Sequence, residues 1–227
     1  MPAQTPDLTV AVQDYLKAIY VLESAGERVT TSALARRMGV SAPSATAMTK
    51  RLDELGLVER VPHRGVALTE AGRRGALEVL RHHRLLERYL VDRLGLSLDE
   101  VHAEAELLEH ALSEELEAKI DAELGFPTHD PHGDPIPDRD LEIERDLGTP
   151  LSRLAPGESG VFSRVSDGDP EMLRFLGDRG IRPGATLTVT GRQPFGGPLL
   201  VEVGGVEHGL GDRLVERMVI DVEGGAR

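Results

Sequence analysis

The sequence predicts a mainly helical chain with a small β domain at its C-terminal end, and three observations predict it. The first 75 residues run helix, helix, short turn, helix, hairpin. From residue 76 to Leu124 the chain carries the apolar periodicity of amphipathic helices, with histidines and carboxylates along the polar stripe. Residues 155–225 are short β-rich runs separated by Gly-rich turns.

The bulk composition bounds what these modules can be. A chain of 227 residues suits two or three small domains. With 3% aromatic residues and no Trp, the cores must be built from Leu, Val, Ile and Ala. The absence of Cys excludes disulfides, thiolate zinc sites and Cys nucleophiles, so any metal is held by O and N ligands. No run approaches the ~20 apolar residues of a membrane span, and Met1 to Thr9 lacks the charged-then-apolar order of a signal peptide. A cytoplasmic protein with no membrane partner is the expectation.

Helix by helix, Ala11 to Ser24 places Val12, Tyr15, Ile19 and Leu22 near the 3.6-residue period. Thr30 and Thr31 offer an N-cap for a short helix from Ser32 to Met38, stopped by Gly39. Ser41 caps a third helix, Ala42 to Leu55, and Pro43 sits in its first turn, where a missing N–H is harmless. Leu57 to Val61, the turn Pro62-His63-Arg64-Gly65 and Val66 to Thr69 read as a hairpin, which completes a winged helix-turn-helix over residues 1–75.

A long fourth helix follows to about Leu94. Next comes one from Ser97 to about Leu116, capped by Ser97 with Glu100 three residues on, and another from Ser113 to Leu124. Residues 125–156 are proline-rich and are expected to form a linker. Strands are expected at Gly160 to Val165, Ala185 to Gly191, Leu199 to Val203 and Glu216 to Val222. With a helix from Pro170 to Arg179, they suggest a small β-barrel.

Net charge is −13, which alone argues against nucleic acid. Its distribution reverses the argument. Residues 1–75 hold ten Lys or Arg against eight Asp or Glu, a net of +2, which leaves −15 on the rest. In helix-turn-helix recognition the N-terminal residues of the second helix reach base edges. Here those are Ser41, Pro43, Ser44, Thr46 and Ala47, with Lys50 and Arg51 further along. Small side chains allow close approach, and Pro and Ala can meet thymine methyls. Arg36, Arg37, Arg60 and Arg64 are candidates for phosphate contacts, the last two because they flank the wing.

Two helical segments carry a second pattern. His82, His83 and Glu87 lie on one, His83 and Glu87 being four residues apart. On the next, His102, Glu106 and His110 recur every four residues, with Glu109 three beyond Glu106. A solvated acidic face gives the same spacing. Histidines alternating with carboxylates, and a second His and Glu pair nearby, favour instead a mixed N and O site for Mn(II) or Fe(II).

The sequence resembles the diphtheria toxin repressor family of metal-dependent regulators, in its manganese-responsive, three-domain branch. The resemblance rests on residues 14–20, Gly56-Leu57-Val58, residues 68–72, residues 82–87, residues 101–110 and residues 130–137. It implies a winged helix, a helical metal-binding and dimerisation domain (76–145) and a C-terminal SH3-like barrel (155–225) similar to ferrous-transport accessory proteins. It also implies a homodimer on a palindromic double-stranded DNA operator, controlling manganese homeostasis genes.

By position, a primary metal site would comprise Asp14, Glu106, Glu109 and His110. An ancillary site would comprise His83, Glu87 and His102 with Asp167 from the barrel; the family's other barrel ligand position is held here by Arg164, which cannot ligate. In the iron-responsive branch the positions of Asp14 and Glu106 are typically Met and Cys. Carboxylates there point to Mn(2+) as the cofactor, with Fe(2+) as the alternative and Co(2+) or Zn(2+) as substitutes in vitro. Two further alternatives are an Fe(II)-responsive repressor of iron uptake genes and a dinuclear metal hydrolase.

Overall fold

A computed structural model of the chain describes residues 8–61, 65–143, 148–166 and 168–222. The chain divides into two compact units. One comprises Met1–His83, Leu108–Glu114 and Pro137–Glu142; the other comprises Arg84–Leu107, Glu115–Ile136 and Ile143–Arg227.

The first unit opens with α1 (Val10–Ser24), α2 (Thr31–Arg37) and α3 (Ala42–Glu54), followed by the hairpin β1 (Val58–Val61) and β2 (Gly65–Leu68). Helix α1 buries Val12, Tyr15, Leu16, Ile19 and Leu22, the stripe that its periodicity anticipates. Thr30 caps α2, its hydroxyl accepting from the Ala33 N–H at 3.1 Å, and Ser41 caps α3 by accepting from Ser44 N–H at 3.3 Å. The wing is fastened at Gly65. This residue has φ +99°, and a Cβ there would stand 2.0 Å from the Val29 carbonyl oxygen. Helix α4 (Glu70–Leu94) then begins in the first unit and continues into the second.

The second unit holds α5 (Val101–Leu108), α6 (Glu114–Glu123, from Glu115 on) and the β domain. That domain contains β3 (Thr149–Pro150), β4 (Ser159–Val165), α7 (Pro170–Gly177), β5 (Thr186–Arg192), β6 (Leu199–Val203), β7 (Val206–Leu210), α8 (Asp212–Val215) and β8 (Met218–Val222). Its six antiparallel strands are ordered β3-β8-β4-β5-β6-β7. Phe162, Leu173, Leu176, Ile181, Leu187, Val189, Val201 and Ile220 belong to one core that is mostly aliphatic.

Three expectations need correction. The single helix from Ser97 to Leu116 is interrupted. Ser97 and Glu100 do form the capping pair, with Ser97 Oγ donating to Glu100 Oε2 at 2.6 Å. The α-helix then starts only at Val101 and gives way to a 3₁₀ turn at Glu109–Ala111.

The presumed linker is in part a folded turn. Asp130 Oδ1 accepts from the backbone N–H groups of His132 (2.8 Å) and Asp134 (2.9 Å). The His132 carbonyl accepts from Val165 N–H, and Asp130, His132 and Ile136 are buried. Proline content signals irregular backbone, but a side chain supplying turn hydrogen bonds lets such backbone pack.

In the β domain, β7 was not anticipated. It is an edge strand with only Leu210 buried, so it has little apolar alternation to read. The strand expected from Glu216 begins at Met218, because α8 and the turn after it occupy Asp212 to Arg217.

Candidate metal centre and nucleic-acid face

In the first unit, one face of α1 and the turn Glu109–Ala111 carry the donors of a compact cluster. His110 Nε2 lies 2.8 Å from Asp14 Oδ1 and 3.4 Å from Glu109 Oε1. The opposite ring nitrogen, Nδ1, lies 2.7 Å from the side-chain oxygen of Gln13, so Nε2 is the nitrogen aimed at the two carboxylates. One donor atom from each of Asp14, Glu109 and His110 falls within 4.8 Å of the others. Two carboxylates and an imidazole at that separation suit a divalent cation that accepts oxygen ligands.

Glu109 is the buried centre of this cluster. It is 1% exposed, with Oε1 2.6 Å from Lys17 Nζ and Oε2 2.5 Å from His83 Nδ1. Its backbone carbonyl lies 3.1 Å from His82 Nδ1. The 3₁₀ turn explains how Glu109 and His110 come to this place: it breaks the helical stripe on which His102 and Glu106 lie, and it belongs to the same unit as α1.

The second unit holds a group around Glu87, which is fully buried. His102 Nδ1 lies 3.2 Å from Glu87 Oε1, and His132 Nδ1 lies 3.5 Å from Glu87 Oε2. His132 Nε2 sits 3.0 Å from the Leu98 carbonyl oxygen, while its buried Nδ1 makes no hydrogen bond. Glu87, Asp130 and His132 also place one donor atom each within 4.8 Å. A buried imidazole nitrogen without a hydrogen bond, beside two carboxylates, is a donor set able to hold a cation.

Electrostatics in this group are strong. Burial, reinforced by the charges of Glu87 and Asp134, pushes the Asp130 carboxyl well above the usual carboxylate range, against Arg84 and His132. For His132, burial pulls the pKa down. The negative charge of Glu87, 3.5 Å away, outweighs it, aided by Asp130 and the Leu98 carbonyl, and brings it to about 9. Arg84 and Arg164 flank the group, Arg164 lying 3.3 Å from Asp134.

Of the residues singled out in the sequence, Asp14, Glu109 and His110 come together, and Glu87 and His102 come together. His83 stands against Glu109 in the first unit. Glu106 belongs to the second unit, 3.8 Å from His102 Nε2. Asp167 lies outside the described residues. Gln13, Lys17, Asp130 and His132 were not foreseen as members of these groups. Gln13 and Lys17 share a helical face with Asp14, and Asp130 and His132 fall in the motif that carries the family resemblance; these were the available signals.

The expected nucleic-acid face is solvent-exposed. Arg36, Arg37, Ser41, Pro43, Ser44, Thr46, Ala47, Lys50, Arg51 and Arg60 are all exposed, while Ala45 and Leu52 turn inward. Thr46 Oγ1 donates to the Ala42 carbonyl at 2.9 Å, and Arg60 faces Asp53 at 3.7 Å. Arg64 lies outside the described residues.

Three family models match along the chain. Residues 7–66 match the N-terminal DNA-binding domain of iron-dependent repressors, residues 69–138 their metal-binding and dimerisation domain, and residues 149–222 the FeoA domain. The chain is 35% identical over 207 residues to the iron-dependent repressor IdeR of Mycobacterium tuberculosis, covering 86% of this chain and 90% of that protein. It is 37% identical over 196 residues to the diphtheria toxin repressor of Corynebacterium diphtheriae, covering 82% and 87%. A solved manganese-dependent transcriptional repressor in complex with manganese matches with a TM-score of 0.84 and 43% identity, over 92% of this chain and 99% of that one. These are transcriptional repressors rather than hydrolases, and this chain belongs to the diphtheria toxin repressor family of metal-dependent, DNA-binding transcriptional repressors.

Proposed function

We propose that the chain is a manganese-responsive repressor that binds a palindromic operator as a homodimer and controls manganese homeostasis genes. The carrying observation is the donor set of the first unit: Asp14, Glu109 and His110 within 4.8 Å, in a chain without Cys. Mn(II) stands low in the Irving–Williams order and competes best where ligands are hard oxygens rather than sulfur. The similarity to a manganese-dependent repressor supports the same ion. Glu106 is proposed as a fourth ligand of this site. Glu87 and His102, with His83 and Asp167, are proposed for the ancillary site; Asp130 and His132, whose donor atoms lie within 4.8 Å of that of Glu87, are proposed as further donors there.

Labour is divided among modules at 1–75, 76–145 and 155–225. A bound divalent ion would supply the positive charge that lets the carboxylates share one place. Asp14 and Gln13 belong to α1, which packs on α2, so the posture of α1 is passed to the helix-turn-helix. In a dimer, that posture sets whether two α3 helices match half-sites one helical turn, ~34 Å, apart. Arg36, Arg37, Arg60 and Arg64 serve the phosphates, and the exposed start of α3 serves the bases.

Titrating the metal-free protein with Mn(II), Fe(II), Co(II) and Zn(II) while following operator binding tests this reading. Mn(II) is expected to restore full binding, with Co(II) and Zn(II) as substitutes. Restoration by Fe(II) but not Mn(II) would assign the iron-responsive alternative, which the relatives named for iron favour.

A further inference from the structure

Lys17 brings a positive charge into the cluster that the reading above assigns to a cation. It lies three residues beyond Asp14 on α1, and its Nζ is 2.6 Å from Glu109 Oε1. That oxygen is also the one facing His110 Nε2, at 3.4 Å, and His110 Nε2 in turn meets Asp14 Oδ1. The ammonium therefore shares its carboxylate oxygen with the donors of the proposed metal site. Both partners are sheltered, the Lys17 side chain being 14% exposed and that of Glu109 1%.

Two physical consequences follow. A buried carboxylate without a counter-charge is costly, so a tethered ammonium stabilises the metal-free arrangement of Glu109. The same ammonium opposes any second cation at Glu109 Oε1, because like charges repel most where water is scarce. A divalent ion entering the cluster must share that oxygen with Lys17 or displace it.

We propose that Lys17 is a resident cation that holds the metal-free site together and limits its affinity for divalent ions, setting the concentration at which the repressor switches on. The proposal rests on the assignment of Asp14, Glu109 and His110 as metal ligands. It differs in sign from a purely structural role: if Lys17 only braced Glu109 for ligation, its loss would weaken metal binding.

The test is Mn(II) affinity by calorimetry, together with the melting temperature of the metal-free protein, for wild type, Lys17→Met, Lys17→Gln, Lys17→Arg and Asp14→Ala. Lys17→Met is expected to lower the metal-free melting temperature and yet tighten Mn(II) binding about tenfold or more, as removing a like charge from a cation site does. Lys17→Gln, which retains a donor for Glu109 without the charge, is expected to tighten binding as well, and Lys17→Arg to stay near wild type. Unchanged or weaker Mn(II) binding in both neutral variants would overturn the proposal. Undiminished Mn(II) binding in Asp14→Ala would instead overturn the site assignment on which it rests, so the two failures are separable.

Discussion

Glu109 has different company at its two carboxylate oxygens: Lys17 and His110 at one, His83 at the other. Its neighbour His110 turns one ring nitrogen to the carboxylates and the other to Gln13, an arrangement in which an outer partner sets the aim of a ligating imidazole. Asp14 is half-buried at the edge of the cluster, so Asp14→Ala is expected to leave the metal-free melting temperature within a few degrees while abolishing Mn(II)-dependent operator binding; thermal melts and a gel-shift titration check this. His132 carries a pH prediction. Its pKa is raised in the folded state to about 9, so its protonated form contributes stability that is complete below the ordinary histidine value and lost as pH rises towards 9. Melting curves of the metal-free protein are expected to fall across that window, and Glu87→Gln, which removes the main raising partner, is expected to flatten the fall.

Among the elements, those with a strong local signal were legible and those held by distant partners were not. The stripe of α1, the Thr30 and Ser41 caps and the hairpin were all readable, because period and cap chemistry are local. Ser41→Ala is expected to destabilise the protein by about 1 kcal/mol through the lost cap and to weaken DNA binding, as chemical denaturation and operator titration would report. The break at Glu109 was illegible because its cause is the burial of Glu109 among Lys17, His82 and His83, residues at least 26 positions away. So was the turn around His132. There Gly133 has φ +91°, and a Cβ would stand 1.8 Å from the Ser163 carbonyl oxygen. Gly133→Ala is therefore expected to destabilise the chain by more than about 1 kcal/mol, measurable by the same denaturation.

Over the whole molecule, charge separates the functions. A net of +2 on the first 75 residues and −15 on the remainder gives one end capable of meeting phosphate, while the carboxylate-rich remainder attracts cations. Composition alone made this division legible, as it did the absence of thiolate ligands. The meeting of α1 with the Glu109–Ala111 turn was legible only through the family resemblance, since nothing local joins residue 14 to residue 109. If Arg36 and Arg37 contact phosphates, replacing each with Ala should weaken operator binding uniformly across sequences and reduce the slope of log affinity against log salt by about one.

Anomalous diffraction from crystals of the manganese-loaded repressor decides whether Asp14, Glu109 and His110 surround the activating cation. A manganese peak bonded to all three side chains is the expected result. Full manganese loading with no peak at these three residues would contradict it.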